Sequence, residues 1–322
     1  MYDVFGLVLP FFGLIFLGFF VARLTRQPLE ALGWMNTFII YVALPALFFQ
    51  LLSKTPIEQL TEWSYIFGSV FATYVVFAMM FVGSVIAARG DIASATIKGL
   101  ASAYGNIGYM GPGLALLSFG EKAAVPVALI FCFENIIHFA VAPMMMALSG
   151  GEKASPLTLA AEVAKKILLH PFIIATAVGV AAAALHFSAP VPLERLLDTL
   201  ARAAAPCALF AMGVTLALRP LNRVPTELGF IAILKLIIHP ALCYVVLSAV
   251  GDFDPIWMQA AVLLAALPTA TNVFVIAQQY GVWVQRASAS ILITTVLSVG
   301  TVTALLYAMK SGLLPPDLFP NG

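Results

Sequence analysis

Gly105-Asn106-Ile107-Gly108-Tyr109-Met110-Gly111-Pro112-Gly113 lies in the middle of an apolar run, residues 93–118. Four glycines, an asparagine and a proline in nine residues resist helix formation. Glycine loses the most backbone freedom in a helix, and proline lacks the N–H that continues the hydrogen-bond ladder. A second stretch, Ala266-Leu267-Pro268-Thr269-Ala270-Thr271-Asn272, sits at a similar depth in the run 256–280. Both are expected to break the helices that carry them. Inside a bilayer, unwound backbone is tolerated only where it lines a cavity or is buried in protein. Where such a helix restarts, free N–H groups and the positive dipole end form a ready anion site. The candidate substrate-binding residues are therefore Asn106, Gly108, Gly111 and Pro112 in the first break, and Pro268, Thr269, Thr271 and Asn272 in the second. The asparagine amides and threonine hydroxyls supply donors. A kinked membrane helix is often only structural; two broken helices in equivalent places point to a site.

The rest of the chain fits a membrane setting. Of 322 residues, 62% are apolar and only 10% are Asp, Glu, Lys or Arg. The mean hydropathy is +1.02. These values exclude a soluble globular or disordered protein. A net charge of +1 provides no basic field for nucleic acid. Cys132, Cys207 and Cys243 lie in apolar runs and read as small buried hydrophobes, not as a metal site or disulfide framework. Nothing suggests a cofactor or a catalytic residue.

About 20 apolar residues span a bilayer as helix. Ten runs qualify as expected spans: 4–22, 31–52, 63–88, 93–118, 123–148, 167–187, 196–218, 227–250, 256–280 and 288–309. The first lacks a basic leader and is read as a retained span. Arg23, Arg26, Arg89, Lys98, Lys153, Lys165, Lys166, Arg219, Arg223 and Arg286 fall on one side of the membrane. Lys54, Lys122, Arg195 and Lys310 fall on the other. The positive-inside rule then places both termini outside the cytoplasm of a multi-pass protein. Residues 149–166 form the longest connection, expected to hold a short amphipathic surface helix.

A shift of 161 positions lays Leu9-Pro10-Phe11 on His170-Pro171-Phe172, Gly18 on Gly179, and Ala43, Pro45 and Phe49 on Ala204, Pro206 and Phe210. The expected organisation is a first five-helix repeat, 1–148, a cytoplasmic linker, 149–166, and a second repeat, 167–322. Five spans is an odd number, so the second copy is inverted. The expected fold is all-α and polytopic: ten transmembrane helices as a 5+5 inverted repeat, with broken, crossing helices 4 and 9.

Several polar residues lie inside spans. Glu134 and His138 are four apart and share a helix face in span 5, where they can serve proton coupling or form a structural pair. Lys235 and His239 are four apart in span 8. Lys235 either snorkels to the cytoplasmic surface, the slightly better reading, or acts as a counter-charge to an anion or to Glu134. Arg202 is expected to pair with Asp198 or to snorkel.

The chain resembles the auxin efflux carrier family of bacterial permeases, relatives of the plant PIN exporters. The resemblance rests on Leu7-Val8-Leu9-Pro10-Phe11-Phe12 with Gly18, on Leu44-Pro45-Ala46-Leu47-Phe48, on Asn106 to Pro112, and on Ala266 to Ala277. It covers nearly the whole chain. It implies a fold akin to the bile acid:sodium symporters, with a scaffold of helices 1, 2, 6 and 7 and transport helices 3–5 and 8–10. It also implies a bacterial inner-membrane permease for small organic anions, with malonate and malate as examples. Asn106, Pro112, Pro268 and Asn272 map by similarity to the crossover that meets the carboxylate. Family analogy also suggests a homodimer. The plant proteins carry a charged cluster in span 3, whereas here span 3 reads as apolar. The coupling ion, H+ or Na+, stays open. The alternatives are a membrane-embedded enzyme, which four scattered histidines do not support, and a non-transporting sensor on a transporter fold.

Overall fold

The computed structural model describes residues 2–26, 28–87, 90–150, 168–218 and 226–315, with short pieces at 158, 161, 164–165, 168 and 317–319. The surface helix expected within 149–166 falls largely outside the described residues. The described residues are overwhelmingly helical, with no strand beyond one isolated bridge. The α-helices are α1 (Tyr2–Thr25), α2 (Gly33–Phe38), α3 (Leu44–Ser53), α4 (Trp63–Ala87), α5 (Ile92–Ala103), α6 (Gly111–Phe119) and α7 (Ala124–Leu148). They continue with α8 (Pro171–Ala184), α9 (Val191–Leu218), α10 (Glu227–Ile233), α11 (His239–Val250), α12 (Pro255–Ala266), α13 (Thr271–Tyr280) and α14 (Val284–Lys310).

Among the described residues, six helical stretches are long and apolar enough to cross a membrane: Glu30–Ser53, Ile57–Ala87, Glu121–Leu148, Val191–Leu218, Glu227–Val250 and Val284–Lys310. Leu9–Thr25, Pro171–Ala184 and Pro255–Ala266 are apolar but shorter. The runs 93–118 and 256–280 do not form continuous helices. The first becomes α5 and α6, the second α12 and α13, and each half is too short to span alone.

Local chemistry explains these boundaries. Asp91 caps α5 by accepting from the Ser94 amide, and Asp254 caps α12 by accepting from the Ile256 amide. Both helices then run for 12 residues and stop. Two π-turns, Ile39–Ala43 and Leu234–Ile238, each end two residues before a proline, Pro45 and Pro240. Proline cannot donate to the carbonyl four residues back and its ring crowds that carbonyl, so the ladder widens by one residue.

The chain divides into two compact units. The first takes Met1–Trp63, Gly108–Cys132 and Leu168–Arg219. The second takes Ser64–Ile107, Phe133–Ile167 and Pro220–Gly322. Each draws on both halves of the sequence. In the first unit, α1 lies against α9 and α3 against α8. Glycines set these approaches. A Cβ on Gly18 would fall 2.2 Å from the Phe210 carbonyl oxygen, and one on Gly213 would fall 1.9 Å from that of Ile15. A Cβ on Gly179 would meet the Phe49 carbonyl oxygen at 3.3 Å. The shift of 161 pairs Gly18 with Gly179 and Phe49 with Phe210, so the two contacts are reciprocal. Phe48, Phe131 and Phe172 fill the space between helices, with Phe48 stacked on Phe131 at 4.4 Å between centroids.

The second unit is tied at one end by Glu227. Its carboxylate accepts from Lys98 at 3.0 Å, from Arg286 at 2.8 Å and from the Trp283 indole at 3.2 Å, which links α5, α10 and the start of α14. In the first unit, Arg202 pairs with Asp198 at 2.9 Å, one helical turn away.

Gly213→Ala is expected to force α1 and α9 apart and to cost about 1–3 kcal/mol. Gly83→Ala, whose Cβ meets nothing within 4 Å, is the control. Thermal unfolding in detergent checks the pair: the first variant unfolds at a lower temperature and the second matches the parent.

Candidate functional site: a helix crossover with a buried charge network

In the second unit the two breaks meet. Gly105 and Thr269 form an isolated antiparallel bridge. The Asn106 amide donates to the Pro268 carbonyl at 2.8 Å, and the Ala270 amide donates to the Tyr104 carbonyl at 2.9 Å. Pro268 has no N–H, but its carbonyl is available, so proline both stops α12 and accepts across the crossing. Gly105 is needed for the approach, since a Cβ there would lie 3.1 Å from the Leu264 carbonyl oxygen and 3.2 Å from the Lys235 Nζ.

Each broken helix leaves carbonyls without an intrahelical partner. The Thr269 hydroxyl donates to the Ala101 carbonyl of α5 at 2.7 Å. The Lys235 ammonium donates to the Ala265 carbonyl of α12 at 2.6 Å. A cation at a helix C-terminus also complements the helix dipole. Thr294 of α14 supports the crossing by accepting from the Thr269 amide at 3.1 Å.

Lys235 therefore does not snorkel: its exposure is 0%. The π-turn and the following His239-Pro240 hold it inward, where Ala265 and His239 satisfy it. Its Nζ lies 2.9 Å from His239 Nδ1. His239 Nε2 lies 3.0 Å from the Thr73 hydroxyl, and that hydroxyl donates to Glu134 at 2.7 Å. Glu134 is 4% exposed. Two opposite charges are thus buried with a histidine and a threonine between them. Burying them costs several kcal/mol each unless they are bonded in this way.

His138 shares the helix with Glu134 but takes another partner. Its Nδ1 meets the Tyr74 hydroxyl at 2.8 Å, and its ring stacks on Tyr104 at 3.9 Å between centroids. Its Nε2 is buried without a hydrogen-bond partner. Tyr104 joins both sides of the crossover: its hydroxyl donates to Asn135 Oδ1 and accepts from Asn272 Nδ2 at 2.8 Å.

The candidate residues thus fall into three groups. Asn106, Pro268 and Thr269 are buried in the crossing itself, and the Thr269 hydroxyl is engaged by Ala101. Thr271 and Asn272 are half-buried at the first turn of α13, whose N-terminus has no side-chain cap. Gly108, Gly111 and Pro112 belong to the first unit, where a Cβ on Gly108 would meet the Phe131 ring at 3.0 Å and Gly111 and Pro112 open α6. Sequence reasoning missed Thr73, Tyr74, Tyr104 and Thr294. Span 3 was read as apolar, yet its Thr73 and Tyr74 meet Glu134 and His138; single hydroxyls in a span carry no pattern that singles them out.

Long apolar helices and a buried polar centre of this kind suit a membrane transporter. The chain belongs to the membrane transport protein family, that of the auxin efflux carriers, whose model matches residues 3–306. It is 65% identical over 320 residues to a Rhizobium meliloti (strain 1021) protein named "Putative malonate transporter", with 99% of this chain and 100% of that protein covered. It is 22% identical over 311 residues to the "Uncharacterized transporter YfdV" of Escherichia coli (strain K12), covering 95% of this chain and 97% of that one. The Shigella flexneri protein of the same name matches equally. The protein is a membrane transporter, and the enzyme reading is set aside.

Tyr104→Phe removes one hydroxyl that serves Asn135 and Asn272 together. The variant is expected to lose about 1–3 kcal/mol, the usual cost of leaving buried polar partners unsatisfied. Denaturant unfolding in detergent measures this, and Tyr109→Phe serves as the comparison.

Proposed function

We propose that this chain is a secondary transporter of small organic anions, mono- or dicarboxylates such as malonate or malate, working by elevator-like alternating access. The observation that carries the reading is the uncapped N-terminus of α13 at the crossover, with Thr271 and Asn272 half-buried beside it. An asparagine and a positive dipole end suit a carboxylate. The buried ammonium of Lys235, held in the same unit at the end of α12, adds a positive potential. The substrate named for the Rhizobium relative is a dicarboxylate, which supports the choice of malonate.

In this reading Asn272 and Thr271 contact the carboxylate, while Asn106, Pro268 and Thr269 hold the crossing in shape. The fold is a 5+5 inverted repeat of ten spans, and the reciprocal packing of Gly18 with Phe210 and Gly179 with Phe49 supports it. Helices 1, 2, 6 and 7 serve as scaffold; helices 3–5 and 8–10 carry the substrate. The bias of Lys and Arg between spans supports a bacterial inner-membrane protein with both termini outside the cytoplasm.

Proteoliposomes containing the protein are expected to take up labelled malonate. Asn272→Ala is expected to weaken malonate-dependent thermal stabilisation by about tenfold in concentration or more, the value of one good hydrogen bond to a charged group. The same substitution leaves the substrate-free unfolding temperature within a few degrees. Stabilisation by malonate that is unchanged in both Asn106→Ala and Asn272→Ala moves the site away from the crossover.

A further inference from the structure

Glu134, Thr73, His239 and Lys235 form one unbroken hydrogen-bonded chain, and its polarity is uniform. Lys235 donates to His239 Nδ1 at 2.9 Å, which places the ring proton on Nε2. Nε2 then donates to the Thr73 hydroxyl at 3.0 Å, and that hydroxyl donates to Glu134 at 2.7 Å. All four side chains are buried. Every proton in the chain can move one step toward Glu134. Lys235 gives a proton to Nδ1, Nε2 gives one to Thr73, and Thr73 gives its own to the carboxylate. The result is a neutral amine, the other histidine tautomer, an intact hydroxyl and a carboxylic acid. It is again fully bonded, with every donor reversed, and the amine still donates to Ala265.

We propose, resting on the transport reading above, that these four residues are a proton wire that makes the protein a proton-coupled carrier, with the tethered ammonium of Lys235 standing where a coupling metal cation would otherwise bind. The broken end of a membrane helix offers carbonyl oxygens of the kind that hold Na+ in such carriers. Here the Ala265 carbonyl is already taken by Nζ at 2.6 Å. The charge count gives the coupling. Without substrate the wire is neutral, as Glu134 carboxylate with Lys235 ammonium or as acid with amine. When a carboxylate arrives, Lys235 passes its proton along the wire to Glu134. The amine, beside Gly105 at the crossover, then takes a proton from a hydronium ion of the side the substrate enters from, which leaves water, and Nζ turns from the protonated Nδ1 toward the carboxylate. The loaded wire carries one positive charge, which cancels the charge of a monoanion such as hydrogen malonate and halves that of the malonate dianion. A neutral load crosses hydrocarbon at far lower cost than a bare anion.

The titratable groups that face the wire do not compete for this role. Tyr65 and Tyr74 come from α4, Tyr104 from the break after α5, His138 from α7 and Cys243 from α11. Tyr74 and Tyr104 are engaged with His138, Asn135 and Asn272, and Tyr65 donates to the Trp257 carbonyl. α12 has no titratable side chain. Lys98 of α5, Glu227 of α10 and Arg286 of α14 are bound to one another.

The test separates binding from accumulation. In proteoliposomes with sodium replaced throughout by choline, an inward proton gradient is expected to drive accumulation of labelled malonate by the parent protein. Thr73→Val keeps the shape and removes the relay hydroxyl. It is expected to keep malonate-dependent thermal stabilisation and to lose gradient-driven accumulation by about tenfold or more. Thr73→Ser restores accumulation. His239→Gln, which still forms hydrogen bonds but cannot relay, is the second variant should the first fail to fold. Accumulation by Thr73→Val equal to the parent's, or a parent that accumulates only with sodium, overturns the proposal.

If the parent neither exchanges nor accumulates malonate, the substrate reading fails and the wire is tested without it. Infrared difference spectra of the parent against Glu134→Gln isolate the protonated-carboxyl band. Thr73→Val is expected to shift the pH midpoint of that band by about one unit or more. An unmoved midpoint overturns the wire.

Discussion

A helix that breaks at the depth of a bilayer must have its freed backbone groups bonded by protein, because hydrocarbon offers them nothing. Much of the second unit follows from that demand. The bridge between Gly105 and Thr269 satisfies amides and carbonyls of both breaks. One further carbonyl at each end is met by a side chain: Ala101 of α5 by a hydroxyl and Ala265 of α12 by an ammonium. The second choice has consequences, because a buried ammonium needs a counter-charge. Glu134 provides it, and Thr73 and His239 fill the gap between them.

Under the proposed transport reading, structure and transport chemistry fall in the same residues. Thr269 is buried and its hydroxyl is used by Ala101, so its contribution is to shape. Asn272 is tied to Tyr104 yet half-buried at a helix start, so it can serve both shape and ligand. The aromatic stack of Tyr104 on His138 locks the crossover to α7. The first unit contrasts with it. There the decisive contacts are backbone against backbone, at Gly18 and Gly213, with phenylalanines filling between helices. Close glycine-mediated packing is how membrane helices associate when no hydrophobic force distinguishes protein from lipid. Such packing suits a body that stays rigid.

The first unit also holds a solvent-open cavity of about 700 Å³. Lys54 and Glu194 on its wall bind each other at 2.8 Å, and Glu58 lines it as well.

The sequence by itself determined that this is an all-helical membrane protein and where two of its helices break. Composition and the Gly/Pro clusters act locally, and backbone propensity alone enforces them. It also marked Glu134, His138 and Lys235, because an ionisable group in an apolar run stands out against its neighbours. Only the tertiary structure decided what those groups do. Lys235 points inward rather than to the surface because the open carbonyl of Ala265, 30 positions away, captures it, and that is not a property of neighbouring residues in sequence. Glu134 joins Lys235 through Thr73 and His239, whereas His138, one turn away, joins Tyr74 and Tyr104. Residues 61 and 166 positions apart meet there. A lone threonine or tyrosine in an apolar span carries no periodic signal, so its role appears only when folding sets a charge beside it.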